Sequence, residues 1–313
     1  MNWIKRIGKV LGVLLLLMVL FLASLYRRDL SPDQVNTKYI TPESQFIEVE
    51  GIRVHVRIMG EGEPVFLLHG SFASLHTWEQ WQQEMSTYYQ TISLDFPGHG
   101  LTGPDSLKRY STKDYSELVH ALAQKLNLTK YHLAGNSMGG GVALQLASDH
   151  PEQVLSLNLI DAGGPPAPKR QNQDSSTQKK TSAGGAWIVQ LARHPIFSKL
   201  LLYCTPKFLF ELNMKQVYGD EAKVTEEVTT RYYELMLREG NRKATLDRLS
   251  IPRSNSIQFD RLTMPTLILW GALDTWIPLS QGQRLQQLIP GANLVVFDAA
   301  GHVPMEEMPK ETV

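Results

Sequence analysis

The stretch "HLAGNSMGGGVAL", His132 to Leu144, sets one serine among glycines between two apolar runs. Within it "GNSMG", Gly135 to Gly139, fits G-x-S-x-G with strand-like text before it and helix-like text, "GGGVALQLASDH", after it. A chain that passes so abruptly from strand to helix needs strained backbone angles at the serine and neighbours without side chains, which glycine supplies. The helix after Ser137 would aim amide N–H groups and the positive end of its dipole at any oxyanion formed there. These residues alone leave two readings open: a turn built to present Ser137, or a tight turn whose serine is incidental.

The text on either side places that turn in an α/β fold. Short continuous apolar runs, "VFLLHG" (65–70), "TISLDF" (91–96), "YHLAGN" (131–136), "VLSLNLIDA" (154–162), "PTLILWG" (265–271) and "NLVVFDA" (293–299), read as strands buried on both faces, hence a mostly parallel sheet covered by helices. Upstream, "FIEVEGIRVHVRIMG" alternates about Gly51 and predicts a hairpin of two edge strands. Tyr115, Leu118, Val119, Leu122 and Leu126 recur at helical spacing and predict a helix over 111–126. About a hundred residues, 163–264, then separate two strands that far fewer would join. Their polar entry, "GGPPAPKRQNQDSSTQKKTSAGG", and amphipathic text such as "AWIVQLARHPIFSKLLLY" and "EEVTTRYYELMLREG" predict an inserted helical cap.

Composition excludes some partners. Thirty-one basic and 31 acidic residues give a formal net charge of zero, which offers no electrostatic footprint for nucleic acid. The single cysteine, Cys204, rules out an internal disulfide and a thiolate zinc cluster; amid "LLLYCTPKFLF" it reads as buried filler.

The amino terminus carries Lys5, Arg6 and Lys9, an uncharged run from Val10 to Tyr26, then Arg27 and Arg28. Seventeen residues at about 1.5 Å each span roughly 25 Å, enough for a bilayer core. An uncleaved anchor, a cleaved signal peptide and a buried helix compete; the lack of a small-residue cleavage pattern favours the anchor. By the positive-inside rule, three basic residues before the run against two after it lead to the expectation that the amino terminus lies in the cytoplasm and the globular part outside. The expected divisions are 1–28 anchor, 29–45 linker, 46–162 first part of the core, 163–264 cap and 265–313 second part of the core.

A serine hydroxyl needs a base. Of nine histidines, His302 stands apart because "NLVVFDAAGHVPMEE" sets it in a small-residue loop just past the last strand. Loops at the carboxyl ends of parallel strands line one crevice, the one that would also hold Ser137. Two carboxylates compete to orient the imidazole: Asp274 in "LILWGALDTWIP", preferred, and Asp161 in "LNLIDAGG". Asp298 lies too close to His302 along the chain and reads as structural.

The order Ser137, Asp274, His302, together with "LLHGSFAS", "SLDFPGHG", "GNSMGG" and "GHVPMEE", resembles the α/β-hydrolase superfamily from about Phe46 onward. The resemblance implies an oxyanion hole from the backbone N–H of Ser71, or else Phe72, with that of Met138, the loop opening at His69-Gly70. It implies that Asp95 and His99 are supports, and that family members continue past "PMEEMPKETV" into a last helix. Trp187, Phe197, Tyr203, Phe208, Phe210, Tyr232 and Tyr233 are candidates for an acyl pocket, none singled out. The implied activity is hydrolysis of a small-molecule apolar ester by a serine esterase without cofactor or metal; no G-x-G-x-x-G after a strand, phosphate-binding loop or H-E-x-x-H is present. "GNSMGG" with "WGALDTWIP" also resembles the carbon–carbon bond hydrolases of meta-cleavage products and the cofactor-free haloperoxidases. A membrane-tethered binding protein with a dormant triad is the reading from another class.

Overall fold

The computed structural model describes residues 2–164, 194–252 and 257–313. Helices α1 (Asn2–Leu25) and α2 (Pro32–Tyr39) precede strands β1 (Ser44–Val49), β2 (Ile52–Met59) and β3 (Glu63–Leu68). Then come α3 (Glu79–Met85), β4 (Tyr89–Leu94), α4 (Thr112–Lys125), β5 (Tyr131–Asn136), α5 (Met138–Asp149) and β6 (Val154–Ile160). The cap contributes α6 (Pro195–Leu201), α7 (Lys207–Val217), α8 (Glu226–Leu237) and α9 (Asn241–Leu249). Strand β7 (Thr266–Gly271), α10 (Leu279–Leu288), β8 (Asn293–Phe297), α11 (Pro304–Glu307) and α12 (Pro309–Thr312) follow. The polar cap entry and Trp187 lie mostly or wholly outside the described residues.

One eight-stranded sheet runs β1-β2-β4-β3-β5-β6-β7-β8. Strand β2 is antiparallel to both its neighbours, and every pairing from β4 to β8 is parallel. Both faces are covered, which is why the strand text lacks alternation. On one face Leu118, Val119 and Leu122 of α4 and Val142 and Leu146 of α5 pack against Phe66, Leu68 and Leu133. On the other, Trp78 and Trp81 join Val65, Leu67, Ala134 and Met305. Helix α4 starts where a capping box permits: Ser111 Oγ accepts from Asp114 N at 3.1 Å while Asp114 Oδ2 accepts from Ser111 N at 2.8 Å.

Three expectations are corrected. Only β1 of the hairpin is an edge strand, because β2 pairs with β4 and buries Val54 and Val56. Strand β8, read as buried on both faces, is the opposite edge, with Val295 and Val296 exposed. The linker 29–45 is no free tether. Ser31 caps α2, whose Val35 and Tyr39 pack with Leu101 and Leu235, and Leu30 bonds the end of α8 through Leu30 N to Leu237 O and Glu239 N to Leu30 O, both 2.8 Å. Polar, proline-punctuated text concealed an i, i+4 pair of buried residues on a short helix.

Candidate active site

Between β5 and α5 the chain turns at Ser137 with φ +52° and ψ −114°, a region that non-glycine residues rarely occupy. The surroundings hold it there. Ser137 N donates to Ile160 O at 3.1 Å, and Ser137 O accepts from Gly163 N at 2.7 Å and Gly141 N at 3.2 Å. Gly139 explains the glycine run: a Cβ there would stand 2.1 Å from Leu68 O, so only glycine lets α5 approach β3 this closely. Met138 opens α5, and its amide N–H has no partner inside the helix.

His302 sits in the loop between β8 and α11. Its Nδ1 lies 2.7 Å from Asp274 Oδ2, and both residues are buried. Asp274, in the turn after β7, is itself fixed by accepting at Oδ1 from Trp276 N (2.7 Å) and Ile277 N (3.0 Å). With Nδ1 committed to a carboxylate, Nε2 is the ring nitrogen left for proton transfer. Ser137 and His302 line one cavity of about 400 Å³, together with Ser71, Phe72, Trp276 and Asn136.

Asp161, the competing carboxylate, ends β6 with φ +43° and accepts from Gly271 N at 3.0 Å rather than bonding the imidazole. Burial, and then the adjacent Asp274 carboxylate, push Asp161 well above the usual carboxylate range. One ligand atom from each of Asp161, Asp274 and His302 falls within 4.8 Å of the others. Two carboxyls and an imidazole so close act on one another electrostatically, and Asp161 is the carboxyl that burial pushes toward its protonated form.

The loop after β3 is shaped by His69. Its Nε2 accepts from Phe96 N at 3.0 Å, so the neutral ring carries its proton on Nδ1 and donates to Gly70 O at 2.7 Å. Burial lowers His69 below its ordinary value, in keeping with the neutral form. Ser71 and Phe72 follow, Phe72 at φ +64°.

Asp95 and His99 stand away from that cavity. Asp95 Oδ2 is 2.7 Å from His55 Nδ1 and 2.7 Å from the donor Leu101 N, and Oδ1 accepts from Leu75 N at 2.7 Å. Burial alone would raise Asp95, but His55 holds it well below the carboxylate range. Asp298 is exposed, and Cys204 is half-buried with its thiol 3.7 Å from Leu22 O. Of the aromatic cap residues, Phe210 and Tyr232 line the Ser137 cavity, while Phe197, Tyr203 and Phe208 are exposed.

Two residues that the sequence did not mark hold the histidine loop. Asn136, an unassigned position of the serine motif, donates from Nδ2 to His302 O at 2.9 Å and to Ile160 O at 3.1 Å. Glu307 accepts from Gly301 N at 2.7 Å and from Gly219 N at 2.8 Å, tying the loop to the cap, and His302 N donates to Val217 O at 2.7 Å. Burial raises Glu307, against the pull of those backbone donors.

Residues 63–309 match the family model described as alpha/beta hydrolase fold. The chain is 28% identical over 272 residues to a 2-hydroxy-6-oxononadienedioate/2-hydroxy-6-oxononatrienedioate hydrolase of Pseudomonas sp, covering 83% of this chain and 90% of that relative. A bacterial membrane phospholipase A shares the fold with a TM-score of 0.68 at 24% identity, over 97% of this chain and 95% of the other. An esterase from Exiguobacterium antarcticum does so with a TM-score of 0.68 at 23% identity, over 86% and 96%.

Proposed function

The chain belongs to the alpha/beta hydrolase fold family, and from that membership we propose a serine hydrolase that cleaves a carboxylic ester through Ser137, His302 and Asp274. The observation that carries the reading is the 2.7 Å pairing of His302 Nδ1 with Asp274 Oδ2 on a cavity that the strained Ser137 turn also lines. Ser137 Oγ attacks the ester carbonyl as Nε2 of His302 takes the hydroxyl proton, and Asp274 fixes the imidazole tautomer and stabilises its cation. The oxyanion is met by backbone N–H groups of Met138 and of Ser71 or Phe72. His302 returns the proton to the departing alcohol, and water, activated by the same base, frees the acid and restores Ser137. In this reading α1 anchors the chain, the catalytic domain lies on the non-cytoplasmic side, and residues 163–264 form the cap over residues 46–162 and 265–313.

The test is labelling by a fluorophosphonate probe together with hydrolysis of p-nitrophenyl acetate. Ser137→Ala abolishes labelling and lowers kcat by about 10⁴-fold or more. Folded wild-type protein that neither labels nor hydrolyses would favour the non-catalytic binding protein. A second reading, hydrolysis of a carbon–carbon bond, is favoured by the similarity to the Pseudomonas relative. A vinylogous diketone cleaved faster than every ester of a chain-length series would select it.

A further inference from the structure

Adjoining the Ser137 cavity is a larger pocket, partly open to solvent, walled by Leu201, Leu209, Met236, Leu246 and Leu249 of the cap helices. Phe72, Phe210 and Asn213 line both, so the two adjoin at shared walls. The larger cavity is almost wholly apolar. Among the described residues its one charged wall residue is Arg242, and that is committed, with Nε donating to Asp29 Oδ1 at 2.9 Å and Nη2 to Arg27 O at 2.9 Å. Asn213, which lines both cavities, is buried with Oδ1 unpartnered, a polar point at the junction.

The same wall receives the end of α1. Arg27 N donates to Tyr203 O at 2.8 Å, the rings of Tyr26 and Tyr203 stack at 6.5 Å, and the Cys204 thiol reaches Leu22 O. Tyr203 lies two residues past Leu201 of the chamber wall. Residues 3–25 of α1 are long and apolar enough to cross a membrane, with none of that window buried against the protein. Beside the attachment the cap exposes further large apolar side chains: Phe197 (40%), Tyr203 (58%), Phe208 (53%) and Leu212 (51%). Aromatic and aliphatic groups set next to a spanning helix belong at the level of the lipid headgroups.

We propose that the chamber between the cap helices is an acyl-chain site filled from the bilayer, and that the ester cleaved at Ser137 is a long-chain ester resident in the membrane. The proposal rests on the serine-hydrolase reading above. The carbonyl sits at Ser137, the chain passes Phe72, Asn213 and Phe210 into the chamber, and the exposed cap face rests in the interface so that the chain enters without crossing water.

The full chain, reconstituted in phosphatidylcholine vesicles, tests this with p-nitrophenyl acetate in solution and p-nitrophenyl palmitate in the bilayer, rates being taken per fluorophosphonate-labelled site. Leu246→Trp, which fills the chamber, lowers the palmitate-to-acetate ratio of kcat/KM at least tenfold. Phe208→Glu combined with Leu212→Glu lowers palmitate hydrolysis in vesicles at least tenfold relative to palmitate in detergent micelles. Labelled variants whose ratios stay at the wild-type values overturn the acyl site and leave the serine hydrolase standing; a wild-type chain that does not label overturns the underlying reading instead. If the double variant converts a dimer to a monomer in detergent and keeps its vesicle rate, the exposed face serves a second copy and entry from the bilayer is refuted.

Discussion

His76 is held neutral, and the folded protein should therefore lose stability in acid through it. The ring is buried with Nδ1 3.2 Å from Ser74 Oγ, and burial pushes it down to about 3, against an opposing pull from Asp95. In the unfolded chain an imidazole takes its proton near pH 6.5, so between those values the unfolded state binds more protons. Stability then falls with pH across that window by about 1.4 kcal/mol per unit from this side chain. His76→Gln should flatten the loss by about 2 to 3 kcal/mol between pH 7 and pH 4.5 in urea unfolding; equal acid losses in both proteins would mean that native His76 is already protonated. Asp161 and Asp274 allow a second comparison. Asp161→Asn keeps an acceptor for Gly271 N and replaces a group that burial already pushes toward its uncharged form, so kcat/KM should change by only a few-fold, whereas Asp274→Asn should lose about 10³-fold or more. Equal losses would assign the imidazole to both carboxylates. Sequence could rank these two but not choose, since each ends a neighbouring strand; the choice is made by which carboxyl reaches Nδ1. Asn136 and Glu307 were illegible because they bond backbone atoms, His302 O and Gly301 N, that carry no residue-type signature.

At the level of elements the serine turn was the most legible feature, because its glycines answer a local demand. Gly139→Ala should destabilise the protein by about 3 kcal/mol in urea unfolding, since the new methyl would press on Leu68 O from 2.1 Å. A loss below about 0.5 kcal/mol would mean that α5 slides freely against β3. The parallel strands were legible as runs because burial on both faces suppresses alternation. Their lateral order was not, and β8 shows why: an edge strand with the same apolar text as the interior ones differs only in what stands beside it. Helix α2 was missed for the complementary reason. Only Val35 and Tyr39 of its eight residues are buried, too few to impress a period on the text around them.

For the whole molecule, the proposed anchor makes a prediction about residues 2–26. A chain lacking residues 2–26 should stop floating with phosphatidylcholine vesicles in a density gradient, while the intact chain floats; flotation of both would transfer membrane binding to the cap. That Phe210, Asn213 and Tyr232 reach the Ser137 cavity was foreshadowed only by a long gap between strands. The cap's attachment to Leu30 and Arg27 was not, because it depends on backbone pairing between residues some two hundred positions apart. A comparable distance separates Asn136 from His302, whose carbonyl it holds. Contacts of such separation reward the chain only after the entropy of closing the loops between them has been paid. On that ground the serine turn, whose partners Ile160 and Gly163 are near in sequence, is expected to form before His302 is placed. In refolding from urea, recovered turnover should therefore trail the return of helical circular dichroism, and the protein would pass through a stage that is shaped like a hydrolase and chemically silent.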